Sequence, residues 1–218
     1  MTLKEFSEIA EADIDWRIGQ FSSLKAIPAL YSMDSEHRSI FQCYSVPAIY
    51  AIWEGFIVSI SHNYVKFINE CNISVNNIHL SLLTHAINSS FKLSEGRNNK
   101  SSQREFIGKI YNSLTYGITI PTKISTESNV NYKVLNNILD CFNLQKVDNH
   151  YESKLNKLLE YRNRIAHGEQ AIIVTEELIF EFTQDIESLM SDVLLIFIDG
   201  IMNDRYLAMN NLGAKNLI

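Results

Sequence analysis

The stretch YESKLNKLLEYRNRIAHG, residues 151–168, predicts one helix that ends at a glycine. Gly168 suits the left-handed conformation that often follows the last turn of a helix. We therefore expect the helix to run from about Tyr151 to His167. The same helical pattern recurs on both sides of this stretch.

Helix start signals occur before and after residues 151–168. Asn131 is a candidate N-cap for a helix just upstream. Downstream, Thr175 followed by two glutamates suits the start of a last long helix, since acidic residues favour the positive end of the helix dipole. At the beginning of the chain, Thr2 with Glu5 can form a capping box for a first helix, which we expect to end before Pro28.

Apolar residues at three- and four-residue steps predict further helices in the first half of the chain. The second helix is expected from about Glu36 to Cys71, with a kink near Pro47, and the third from Ile78 to Phe91. Residues 92–105 lose the apolar periodicity and collect Ser, Asn and charge, so they predict an exposed polar loop. A short helix is expected after that loop.

Composition agrees with this helical pattern. A length of 218 residues makes one ordinary domain, so residues 1–218 are treated as a single domain. The hydrophobic fraction of 46% excludes wholesale disorder, and only three Pro and eight Gly favour helices. No period of 20–50 residues repeats, which argues against a solenoid. The predicted fold class is all-α, a helical bundle.

The net charge and the cysteine content limit which kinds of protein this chain can be. A net charge of −6 means that the chain is no general polyanion binder, so any nucleic-acid contact has to come from a local patch. The three cysteines include no C-x-x-C pair, which fits a reducing cytosol. The most apolar stretch, Val46 to Ile60, contains Pro47 and Glu54 and falls short of the roughly 20 apolar residues that span a bilayer. We expect a cytoplasmic protein that makes no membrane contact.

The sharpest local feature is the pair Arg162 and His167. On a helix they lie roughly 140° apart, so they would flank a groove, while Asn163 shares the face of His167. A histidine can take and return a proton near neutral pH, and an arginine is a permanent cation whose fork matches phosphate oxygens. The pair suits phosphodiester chemistry, with a chance pairing on a surface helix as the alternative. Arg164 is assigned instead to an exposed ion pair with Glu160.

Glu54 is the second feature, because it is the only formal charge between Arg38 and Lys66. An unpaired buried carboxylate is costly, so we expect Glu54 to have a partner. Arg162 or His167 is the favoured partner, since a carboxylate that holds an active-site cation in place is a common supporting device. A purely structural ion pair is the alternative.

Three patches, in the right order, resemble one protein family. They are AIYAIWEGFI at 48–57, ISTESNVNYKVLNNIL at 124–139 and YRNRIAHGE at 161–169. The last patch has four residues between Arg162 and His167, which resembles the Arg-x4–6-His signature of the HEPN superfamily (higher eukaryotes and prokaryotes nucleotide-binding). Together the patches resemble the stand-alone bacterial HEPN nucleases grouped with RiboL-PSP-HEPN proteins.

The resemblance implies an up-and-down helical bundle, with additional helices and a polar loop insertion, that dimerises so that two motifs face each other in one cleft. It also implies a metal-independent endoribonuclease with no cofactor. In the family's pattern Arg162 and His167 are the catalytic pair, Asn163 assists, and Glu54 supports the site. Some HEPN proteins are silenced by modification of a Tyr two residues after the His, a position where this chain has Glu169, so that control is not expected.

Basic side chains that could contact RNA are few. Lys154 and Lys157 lie on the motif helix, and Arg97, Lys100 and Arg104 lie in the polar segment. This segment is the best candidate in the sequence for an RNA-binding element, although such polar segments are more often solvated surface loops.

The chemistry of a metal-free ribonuclease gives a reason for a homodimer. If the RNA 2′-hydroxyl is the nucleophile, one base must take its proton, one acid must protonate the leaving group, and a cation must stabilise the phosphorane. One histidine cannot do both at once, whereas two copies supply two His167 and two Arg162. The leading hypothesis is an endoribonuclease acting as a toxin or antiviral effector, with an antitoxin or defence-system protein as partner.

Two other classes of function stay open from the sequence. One is a catalytically silent HEPN module that binds RNA, a nucleotide or a protein partner, and the other is a structural helical adaptor. The presence of Arg162, Asn163 and His167 together favours the enzyme.

Overall fold

A computed structural model describes residues 1–90, 100–116, 118–169 and 172–208. Within these ranges the chain forms seven α-helices and a three-residue 3₁₀ helix at Val75–Asn77, and it contains no strand. The helices are α1 Leu3–Leu30, α2 Ser35–Glu70, α3 Leu80–Ser90, α4 Lys100–Tyr116, α5 Tyr132–Cys141, α6 His150–Ala166 and α7 Glu176–Met202. The predicted all-α class is confirmed.

The predicted helix starts are confirmed by their caps. The Glu5 N–H donates to Thr2 Oγ1 at 3.2 Å, and the Thr2 N–H donates back to the Glu5 carboxylate at 2.6 Å, which completes the capping box. Asn131 Oδ1 accepts the Val134 N–H at 2.8 Å at the start of α5. Thr175 caps α7 in the same way.

Two predicted boundaries are wrong. Helix α1 continues to Leu30 with Pro28 in its last turn, because the Tyr31 N–H donates to the Ile27 carbonyl at 3.1 Å and closes that turn without the missing proline donor. Helix α4 begins at Lys100, so the end of the predicted loop is helical. Its polar first turns point mostly to solvent, and a helix face in solvent needs no apolar periodicity. The rest of that loop, residues 91–99, lies outside the described residues.

Helices α1, α2, α6 and α7 form the main bundle, with α2 in contact with the other three. Helix α2 is helical on both sides of Pro47, and its buried face includes Trp53 and Tyr64. Helix α5 packs against α3 and α6 beside this bundle. The largest fully buried side chains come from several helices: Trp53, Tyr64, Phe6, Phe21, Phe56, Phe142, Phe182 and Phe197. The motif helix α6 is therefore held against a large apolar core.

One described helix, α2, is long and apolar enough to span a bilayer by length and composition. A core helix passes the same test, and the buried face of α2 packs against α1, α6 and α7. The cytoplasmic location and the lack of membrane contact stay predictions.

Candidate active site

The end of α6 fixes the backbone that carries His167. Gly168 has a φ of +71°, as predicted, and its N–H donates to the Ile165 carbonyl at 3.0 Å. The Glu169 N–H reaches back to the Arg164 carbonyl, also at 3.0 Å. These two bonds are the Schellman closure of a helix C-terminus. His167 therefore lies at a rigid helix end.

The His167 side chain is exposed. Neither a hydrogen bond nor an ion pair joins its ring to another residue in the described parts of the chain. The imidazole is thus accessible to a substrate from solvent, as a proton-transfer group has to be.

Arg162 is half-buried and held on two sides. Its Nη1 donates to Asn163 Oδ1 at 2.8 Å. Its Cζ lies 4.6 Å from the centroid of the Tyr50 ring, which is within the range of a cation–π contact. Two neighbours thus restrain the guanidinium, and its remaining N–H groups have no partner among the residues that the structure describes.

Tyr50 connects α2 to the segment before α5. Its hydroxyl accepts the Val130 N–H at 2.9 Å, and the Trp53 indole N–H donates to the Val130 carbonyl at 3.0 Å. Both backbone polar groups of buried Val130 are therefore satisfied by side chains of α2. Since Arg162 lies on the Tyr50 ring, the three sequence patches meet at one place.

Glu54 does not contact the partners that we expected. Within the described ranges it forms no ion pair with Arg162 or His167. Burial raises the pKa of the Tyr50 hydroxyl, the hydrogen bond from the Val130 N–H lowers it, and the negative charge of Glu54, one helical turn later on α2, raises it. The expected direct pairing is wrong, because the packing of α2 against α6 brings the ring of Tyr50 against the Arg162 guanidinium.

Gly55 in the same patch has a structural role. A Cβ at this position would lie 3.0 Å from Nη1 of buried Arg17. Arg17 donates through Nη1 to the Ile52 carbonyl at 2.7 Å and pairs with Asp13 at 3.1 Å. The glycine allows α1 to approach α2 behind the candidate site.

Sequence reasoning missed Tyr50 and Val130. For Tyr50 a signal was available, since it lies four residues before Glu54 on the same predicted helix and so faces the same side. Val130 acts through its backbone, for which the sequence holds no signal.

Arg164 stabilises the turn that ends α6 rather than the candidate active site. Its guanidinium forms two hydrogen bonds to the Glu169 carboxylate, at 2.8 and 2.6 Å. The predicted partner Glu160 is also present, but at 3.8 Å. The Arg164 guanidinium holds the pKa of Glu169 below its usual range. This exposed pair links the last turn of α6 to the chain after Gly168.

The predicted RNA-binding lysines of α6 are already paired. Lys154 Nζ lies 2.6 Å from Asp185, and Lys157 Nζ lies 2.6 Å from Glu181. Both acids belong to α7, so these two lysines hold α6 to α7 and are not free cations. This pairing argues against their predicted contact with RNA.

The other predicted RNA-binding residues lie on α4 or outside the described residues. Lys100 and Arg104 are exposed on the first turns of α4, which packs mainly against the 3₁₀ helix. Arg97 lies outside the described residues.

In the described residues, no three His, Cys, Asp or Glu side chains lie close enough together to hold a metal ion. The groups that the site does offer are a permanent cation on Arg162 and a proton-transfer group on His167.

One of three comparisons with known proteins gave a match. Searches of curated proteins and of solved structures found no match. The model of the RiboL-PSP-HEPN family matches residues 12–199, which include all three sequence patches and every residue of the candidate site. The chain belongs to the RiboL-PSP-HEPN family of the HEPN superfamily, whose domains are associated with ribonuclease activity or nucleotide binding.

Proposed function

We propose that the chain is a metal-independent endoribonuclease in which Arg162 and His167 act on an RNA phosphodiester bond. The observation that carries this proposal is a restrained guanidinium with unpaired N–H groups near the helix end that presents an exposed imidazole. A cation held before the substrate arrives costs little reorganisation when negative charge develops on the phosphate. Membership of the family supports the same chemistry.

The proposed reaction uses the RNA's own 2′-hydroxyl. A His167 imidazole takes the 2′-hydroxyl proton, and the 2′-oxygen attacks phosphorus while the bond to the 5′-oxygen breaks. An imidazolium protonates that leaving oxygen, which yields a 2′,3′-cyclic phosphate and a 5′-hydroxyl. Arg162 stabilises the charge of the phosphorane, and Asn163 restrains Arg162 through its 2.8 Å hydrogen bond.

The need for a base and an acid together supports a homodimer. One copy supplies a single His167. Two copies with their α6 ends facing each other supply both groups and two arginines. The site is therefore proposed as a composite of two chains.

The cellular role is proposed from the family resemblance. Cleavage of RNA in the cytoplasm makes the chain a candidate toxin or antiviral effector that an antitoxin or another defence-system protein controls. A second candidate is a catalytically silent module that binds RNA, a nucleotide or a protein partner. The ion pairs of Lys154 and Lys157 leave few free cations on the motif helix, which within this candidate favours the protein partner.

The deciding experiment measures cleavage of labelled RNA by the purified full chain in EDTA. We expect the parent chain to cleave and His167→Ala to lose cleavage. A matched control is His150→Ala, which removes the exposed histidine at the opposite end of α6 and should leave cleavage intact. Binding of RNA without cleavage by the parent chain would identify the silent module instead.

A further inference from the structure

Tyr50 contacts Arg162 and Val130 with different parts of one side chain. The aromatic ring lies under the guanidinium of Arg162, with 4.6 Å between Cζ and the ring centroid. Only 2% of Tyr50 is exposed, so the ring cannot turn away from either neighbour without disturbing the core.

The hydroxyl of Tyr50 is oriented by the backbone of Val130. It accepts the Val130 N–H at 2.9 Å, and Trp53 holds the carbonyl of the same residue at 3.0 Å. The backbone of Val130 therefore fixes the position of the Tyr50 ring under Arg162.

We propose that Tyr50 is a positioning residue for Arg162: its ring, fixed by burial and by the backbone of Val130, holds the guanidinium in place. This proposal rests on the proposed function, since it concerns the orientation of Arg162 toward the RNA phosphate. Tyr50 acts through Arg162 and does not touch the substrate.

The first test removes the ring. In Tyr50→Leu the guanidinium loses its stacking partner, so cleavage should fall by about tenfold to a hundredfold, the range expected for a misplaced catalytic group. Tyr50→Phe keeps the ring under Arg162 and should retain most of the parent rate.

Tyr151 provides a matched control. It is also buried, its hydroxyl donates to Asp192 at 2.7 Å, and Lys154 Nζ lies 5.7 Å from its ring centroid. Tyr151→Leu removes a comparable buried ring from the opposite end of the motif helix and should leave kcat unchanged. A kcat for Tyr50→Leu that equals that of the parent, or a loss as large in Tyr50→Phe as in Tyr50→Leu, would overturn the proposal.

A second readout does not depend on RNA cleavage. The side-chain Nε–H signal of Arg162, assigned through Arg162→Lys, should be displaced by the Tyr50 ring current in the NMR spectrum of the parent chain. Tyr50→Phe should keep this displacement and Tyr50→Leu should remove it. An Arg162 signal that does not respond to Tyr50→Leu in a folded chain overturns the stacking. If the parent chain cleaves no RNA, this readout still shows whether Tyr50 holds Arg162, and only the proposed function fails.

Discussion

The guanidinium of Arg162 stacks on the ring of Tyr50, with 4.6 Å between Arg162 Cζ and the ring centroid. The tyrosine is almost inaccessible, whereas the arginine is half-buried. One face of the cation is thus anchored in the core while its free N–H groups stay available. This contact joins α6 to α2 at the candidate active site, close to the exposed His167.

Loss of the motif side chains should remove toxicity without unfolding the chain. His167 is exposed and its backbone is held by the Schellman turn, so His167→Ala should keep the melting temperature of the parent. Expression of the parent chain should slow growth, and both His167→Ala and Arg162→Ala should relieve this. Arg162→Lys should restore little, because a lysine lacks the planar fork. Growth inhibition by His167→Ala equal to that of the parent would show that the site is wrong.

The cleavage products should identify the nucleophile. With the 2′-hydroxyl as nucleophile, we expect a 5′-hydroxyl on one fragment and a 2′,3′-cyclic phosphate, or the 3′-phosphate from its opening, on the other. A 2′-deoxy sugar at the cut site should block the reaction. End-group analysis after cleavage in EDTA measures this directly, and a 5′-phosphate that disappears with chelator would contradict the mechanism even if Arg162 and His167 proved essential.

The active species should be a homodimer. A composite site needs a second His167, so light scattering should give twice the mass of the 25.0 kDa chain. The cleavage rate per chain should fall on dilution as the dimer dissociates. Full activity of a monomer at nanomolar concentration would remove the reason to place one site across two chains.

Two glycines should respond to alanine in opposite directions. Gly168 has a φ of +71° and nothing within 4 Å of an added Cβ, so Gly168→Ala should destabilise the fold by about 1–2 kcal/mol through backbone strain alone. Gly19, inside α1, also has open space around its Cβ, and Gly19→Ala should stabilise by about 0.4–1 kcal/mol. Chemical denaturation of both variants measures these differences. If Gly19→Ala also destabilises the fold, the loss of stability in Gly168→Ala cannot be assigned to backbone strain.

The ion pair of Arg164 and Glu169 should make stability depend on pH. Hydrogen bonding to Arg164 lowers the pKa of Glu169 below its ordinary value of 4.5. A carboxyl group whose pKa is lower in the folded chain stabilises the fold above its ordinary pKa, and this contribution is lost as the pH falls through the folded pKa. Glu169→Gln should therefore melt below the parent at pH 7.

The gap in melting temperature between Glu169→Gln and the parent should close as the pH falls toward about 3. Glu160→Gln is the control, because Glu160 lies 3.8 Å from Arg164 and should matter less. A gap that is unchanged at acidic pH would assign the effect of Glu169→Gln to something other than the carboxylate charge.

The sequence by itself determined the features that depend on residues close together along the chain. The caps at Thr2, Asn131 and Thr175 and the left-handed Gly168 were all predictable. Each depends on hydrogen bonds or dihedral preferences within a few residues. Apolar periodicity identified the helices for the same reason, and the three patches identified the family. Two predicted helix boundaries were wrong. The last turn of α1 tolerates Pro28, and the first turns of α4, from Lys100, face solvent and therefore carry no apolar pattern.

Only the tertiary structure decided which side chains meet. The sequence shows that Lys154 and Lys157 are basic, but only the fold shows that acidic residues of α7 pair with both of them. Glu54 forms no ion pair with Arg162 or His167 in the described residues, and the ring of Tyr50 lies against Arg162 instead. The partner of a charged group depends on how helices that are distant in the sequence pack. That is why Tyr50, which contacts both Arg162 and the segment before α5, became visible only in the folded chain.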